Sequence, residues 1–126
     1  MSVSRRQARR QALFLLYQGD LSGQAIGSQY AGEIDPWARG IAESVVERAE
    51  ELDARITGAS EGWTADRLGT VERSALRVAV HELQTGEVPA EVAINEAVAF
   101  TKRYASEDGA RLVNGILGKI QREEAA

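Results

Sequence analysis

Apolar residues recur at steps of three and four along nearly the whole chain and nowhere alternate over a sustained run, so the pattern predicts helices and no sheet. The first helix is expected from about Ser4 to Gln18, with Ala8, Ala12, Leu15 and Leu16 as its buried side and Gly19 as its stop. On an adjacent face Arg6, Arg10, Leu13 and Tyr17 follow one another at helical spacing, which lines two guanidinium groups and a phenol along one stripe. Residues 20–35, rich in Gly, Ser and Gln, read as a loop holding a short helix through Ala25, Ile26 and Tyr30. Asp35-Pro36 opens a long second helix with Asp35 as N-cap. Trp37, Ile41, Ser44, Val45, Arg48, Leu52 and Ile56 run down one side of it; Glu43, Glu47, Glu50, Glu51 and Arg55 occupy the other. Gly58 to Gly62 then breaks the chain and divides it into expected subdomains of 1–60 and 61–126.

The second half is denser in apolar residues. Thr64 is expected to cap a short turn through Trp63, Asp66 and Leu68. Thr70 is the expected N-cap of the next helix, with Glu72 in its first turn, where the helix dipole favours an anion. Val71, Ala75, Leu76, Val78, Ala79, Val80 and Leu83 leave little of that helix polar, so it should lie at the centre. Gly86 ends it, and Pro89 opens a helix carrying Val92, Ala93, Ala97, Phe100 and Tyr104. Ser106 caps the last helix, with Glu107 and Asp108 in its first turn and Ala110, Val113, Leu117 and Ile120 as its buried side; Gln121 to Ala126 is a polar tail. The layout is all-α: two small helical bundles packed into one compact domain.

Charge changes the picture more than composition does. The chain of 126 residues carries a net charge of −4, which argues weakly against a general nucleic-acid binder. Its first 19 residues nevertheless hold Arg5, Arg6, Arg9 and Arg10 and no acid, while the remainder holds 11 basic and 19 acidic groups, a balance of −8. A cationic patch on an acidic body is read either as a contact for an anionic partner or as a solvated helix start. With no cysteine, disulfides and thiolate metal sites are excluded. No apolar run reaches the roughly 18 residues of a membrane span. A soluble, cytoplasmic protein is expected.

Enzyme chemistry finds no foothold. His81, the only histidine, sits in the apolar helix over 71–83 and reads as structural. One histidine without cysteine supplies neither a usual zinc site nor a credible catalytic triad. Phosphate loops and dinucleotide fingerprints are absent from the sequence, so no cofactor, no metal and no catalytic residue are expected. The acid pairs Glu50-Glu51 and Glu123-Glu124 read as solvated charge. Asn95 and Asn114 interrupt apolar helical runs; the structural expectation is that their amides bond neighbouring backbone, Asn95 toward Gly115 and Asn114 toward a loop. Gly115, inside the last helix, suggests close helix approach.

Several separated motifs, in order, resemble the NusB family of bacterial transcription antitermination factors: RRQARRQALFLLY at the N-terminus, RLGTVERSALRVAVHEL in the centre, then VPAEVAINEAV and TKRYASEDGARLVNGILGKI. The likeness spans most of the chain and is strongest over residues 67–119. His81, Ala105, Gly109 and Gly118 stand where the family usually has Tyr, Gly, Ser and Asp. The resemblance implies an all-helical fold of two subdomains. It also implies a protein that binds boxA-like single-stranded RNA of nascent ribosomal-RNA transcripts together with a small-subunit ribosomal protein (NusE), in an antitermination complex on RNA polymerase.

Carried over by motif, the RNA side would comprise Arg5, Arg6, Arg9, Arg10, Tyr17, Tyr104, Asp108 and Arg111, and the ribosomal-protein side Glu72 and Asp66. Arginines suit salt-sensitive phosphate contacts, tyrosines stack on unpaired bases, and Asp108 suits a base edge better than a phosphate. The competing reading is a structural helical module whose apolar stripes mate with a second copy as a homodimer.

Overall fold

The computed structural model describes residues 4–23, 32–61 and 67–125. Six helices follow in chain order: α1 (Arg5–Ser22), α2 (Pro36–Glu47), α3 (Ala49–Ala59), α4 (Thr70–Thr85), α5 (Ala90–Tyr104) and α6 (Glu107–Ala125), with no strand among the described residues. The expected short helix through Ala25, Ile26 and Tyr30 and the turn through Trp63, Thr64 and Asp66 lie outside them. No helix among the described residues is long and apolar enough to cross a membrane.

Local chemistry explains most helix boundaries. Ser4 caps α1 in a reciprocal box with Gln7: the Gln7 N–H donates to Ser4 Oγ and the Ser4 N–H donates to Gln7 Oε1. The helix continues through Gly19, the expected stop, and ends at Gly23, whose φ of 71° is the left-handed conformation that glycine adopts without steric cost. Asp35 accepts from the N–H groups of Trp37 and Ala38, with Pro36 in the first turn of α2. The cap of α4 is Gly69, one residue before the expected Thr70, and Gly86 at φ 71° closes that helix. Ser106 caps α6 as expected, its Oγ accepting from the Gly109 N–H at 2.9 Å.

The long second helix is in fact two, α2 and α3, broken at Arg48. Neither Gly nor Pro marks the break. The Arg48 guanidinium reaches across to α4, where it donates to His81 Nδ1 at 2.7 Å and to the Gln84 side-chain carbonyl, and it also pairs with Glu51. The bend allows the stripe Ile41, Val45, Leu52, Ile56 to stay buried on both pieces.

The core is built around α4, which packs against all five other helices. Leu76, Val78 and Val80 are buried there beside Leu15, Val45, Leu52, Ile56, Leu117 and Ile120 from the surrounding helices. The expected inward stripe of α6 is buried throughout. Asn95 and Asn114, by contrast, are exposed and make no side-chain hydrogen bond among the described residues: Ile94 and Ala97 face inward on α5, Val113 and Ile116 on α6, and the asparagines fall between them. Gly115 has open space where a β-carbon would stand, so it marks no close helix approach.

Candidate nucleic-acid interface

α1 and α5 meet along a cleft of about 240 Å³ lined by Arg9, Arg10, Leu13, Glu96, Ala99, Phe100, Arg103 and Tyr104. The helical spacing of α1 delivers Arg6 and Arg10 to this side, both exposed. Arg6 Nε donates to Glu96 Oε1 of α5 at 2.8 Å, a bond that spans the two helices at one end of the cleft. The other end is aromatic. Phe14 meets Phe100 edge-on at a centroid distance of 5.4 Å and Tyr104 at 4.9 Å, and Phe100 and Tyr104 lie 4.9 Å apart. Tyr104 keeps 40% of its surface in solvent, so its ring is both held and offered. Tyr17, half-buried, lines a neighbouring hollow of about 90 Å³ with Phe14, Val71, Phe100 and Tyr104.

Arg9 corrects the sequence reading. It is only 4% exposed and is locked to Glu82 of α4, itself 2% exposed, by hydrogen bonds of 2.8–3.0 Å from Nε and Nη2. Such a pair is stable only with both partners present, because either charge alone would be buried without compensation. Arg9 therefore fixes α1 to α4 and is not offered to a ligand. Arg5 is exposed but lies over the Trp37 ring of α2, its guanidinium carbon 4.4 Å from the ring centroid, outside the cleft lining.

Beyond Tyr104 the chain turns into α6. Asp108 and Arg111, both strongly exposed, pair with each other one helical turn apart. Arg111 also lines an open groove between α5 and α6 with Val98, Lys102, Glu107, Ala110 and Asn114. Glu72 stands in the first turn of α4, half-buried, and its carboxylate folds over Gly69. A β-carbon on Gly109 would sit 3.2 Å from Glu72 Oε1, Ser106 Oγ and Thr101 Cγ2. Glycine at 109 thus makes room for Glu72 beside the first turn of α6. Asp66 lies outside the described residues. None of these groups forms a cluster of three His, Cys, Asp or Glu placed for a metal ion among the described residues.

His81 is structural in its surroundings: buried, accepting from Arg48 through Nδ1, which leaves the proton of the neutral ring on Nε2. Burial pushes its pKa below the ordinary value of 6.5, and the neighbouring Arg48 charge acts in the same direction against the opposing pull of Glu82 and Glu87.

The model of the NusB family matches residues 6–122. The chain belongs to the NusB family. The transcription antitermination protein NusB of Rubrobacter xylanophilus is 42% identical to it over 122 residues, covering 91% of this chain and 88% of its own. T. maritima NusB superposes with a TM-score of 0.87 at 30% identity over 98% of this chain and 94% of that one. The crystal structure of the antitermination factors NusB and NusE in complex with double-stranded RNA matches at 0.82, 30% identical, over 94% and 96%.

Within this NusB fold the structure adds residues the sequence reading missed, and gives Arg9, which that reading put on the RNA side, a different role. Glu82 and Arg9 each fall on an apolar stripe (Ala75, Val78, Ala79; Ala12, Leu13, Leu16), and two opposite charges inside buried stripes were a readable sign of a sealed pair. Phe14, Phe100, Glu96 and Arg103 are cleft or cluster residues that only the approach of α1 to α5 reveals.

Proposed function

We propose that this protein is a transcription antitermination factor that binds boxA-like single-stranded RNA of nascent ribosomal-RNA transcripts along the α1/α5 cleft and the Tyr104–Arg111 turn, together with a NusE-type small-subunit ribosomal protein held at the Glu72 end of α4. The observation that carries this reading is the convergence of exposed Arg10 with the half-open Tyr104 ring on one cleft of an otherwise acidic chain, with exposed Arg6 at its edge bonded to the lining residue Glu96. Cations track the phosphates and exposed rings take unstacked bases, a pairing suited to single strands. The related NusB–NusE complex holds double-stranded RNA; the aromatic end of this cleft favours the unpaired form, because a duplex would keep its bases stacked away from Tyr17 and Tyr104.

An assembly module without RNA binding is less well supported. The large apolar side chains left in solvent among the described residues are Val46, Val92 and Tyr104. Val92 and Tyr104 stand at opposite ends of α5, roughly 18 Å apart at 1.5 Å per residue, and Val46 lies on α2, too dispersed for a mating stripe.

Fluorescence anisotropy with a boxA-like oligonucleotide, its scrambled version and the corresponding duplex, each with and without the NusE-type partner, tests the reading. Tightest binding is expected for the matched single strand with the partner present. Arg6→Ala with Arg10→Ala should reduce the salt slope of binding by up to about 1.4, at about 0.7 for each phosphate contact on a single strand. An unchanged slope would remove the cleft from the RNA path.

A further inference from the structure

The charges of the α1/α5 cleft do not cancel. Arg9 is neutralised by Glu82, and Glu96, the acid of the lining, is taken by Arg6. Arg10 on α1 and Arg103 in the last turn of α5 form no ion pair among the described residues, although most arginines of this chain do. Both line the cleft, one from each wall. Two guanidinium groups therefore confront one opening with no anion among the described residues paired to them, in a chain whose net charge is −4. The Arg103 guanidinium carbon lies 5.5 Å from the centroid of the Tyr104 ring, and this cation–π contact restrains a long exposed side chain near the aromatic end. A restrained guanidinium loses less rotamer freedom on binding and presents a fork of donors suited to phosphate oxygens.

We infer that Arg103 is a second backbone contact for RNA: the strand runs through the mouth of the cleft with a phosphate gripped from α1 by Arg10 and another from α5 by Arg103. This rests on the RNA reading above, and extends it to a residue that neither the arginine-rich helix nor the Asp108 turn contains. Because phosphates carry no sequence information, Arg103 contributes affinity and salt dependence and leaves the choice of base to other groups.

The test titrates the full-length protein, alone and with its ribosomal partner, against labelled boxA-like and scrambled oligonucleotides over a series of KCl concentrations. Arg103→Ala should weaken both oligonucleotides by the same factor and flatten the salt slope by about 0.7, with the Arg10→Ala loss adding to it in the double variant. Arg103→Lys should keep the slope, since it keeps the charge. The side chain is exposed, so the thermal midpoint followed by circular dichroism should not move, and Arg103→Glu should exaggerate the binding loss on the same fold. Wild-type binding with affinity and slope unaltered in Arg103→Ala overturns this inference and leaves the RNA reading standing. Loss confined to the matched oligonucleotide with the slope intact also overturns it, since Arg103 would then be reading a base. Absence of RNA binding by the wild type under every condition removes the RNA reading and this inference together.

Discussion

At the scale of single residues two buried polar features dominate stability, the Arg9–Glu82 pair and His81. Removing Arg9 strands Glu82 in the core, so Arg9→Met should destabilise the protein by about 3–5 kcal/mol in urea unfolding, while the pair Arg9→Met with Glu82→Leu should recover most of that loss. His81 gives stability a pH dependence. Its pKa is lower in the folded protein than in the unfolded chain, so below about 6.5 the unfolded chain binds the extra proton first. The contribution is present above that value and lost as pH falls through the folded pKa. Unfolding free energies measured from pH 8 down to pH 5 should decline for the wild type, and His81→Gln should remove part of that slope. The arginine stripe was legible from spacing alone for Arg6 and Arg10, since both are exposed on α1. Arg9 was misassigned because the charge count took in every arginine of the helix, although its place at helical spacing from Ala12, Leu13 and Leu16 marked it as facing inward.

At the scale of elements, the helices were legible wherever a cap or an apolar step announced them. Asp35, Gly86 and Ser106 act at their expected positions, and the inward faces of α4 and α6 follow their spacing. What escaped was decided by tertiary contacts. The break between α2 and α3 turns on Arg48 reaching His81 and Gln84 on another helix. The overrun of α1 past Gly19 depends on Gly23, four residues on, supplying the left-handed cap. Gly115 was given a packing role that the open space around it does not support. A glycine in a helix interior with nothing to clash against is replaceable at a gain: Gly115→Ala should raise stability by about 0.5–1 kcal/mol, seen as an increase in the urea midpoint at unchanged m-value. A decrease would mean that α6 bends or packs at this point.

At the scale of the whole molecule, α4 is the shared wall. It holds α1 through Arg9 and Glu82, supports α5 and α6, and presents Glu72 at its start. Glu72→Lys should leave the fold intact, losing the favourable placement of an anion in the first helical turn, about 0.3–1 kcal/mol, while weakening the complex with the ribosomal partner. Size-exclusion chromatography of the mixed proteins and a thermal melt of the variant alone separate these effects. Undiminished complex formation would move the partner's footprint away from α4. The Glu72 carboxylate lies beside Gly109, the immediate neighbour of Asp108. If the ribosomal protein docks on Glu72 and the transcript on Asp108, as proposed, anything that draws that carboxylate outward also alters the electric field at the residue next in sequence, and by linkage the influence on affinity would run equally in reverse. On the proposed reading, transcript and ribosomal protein are then not independent cargoes: the affinity for either should change once the other is bound.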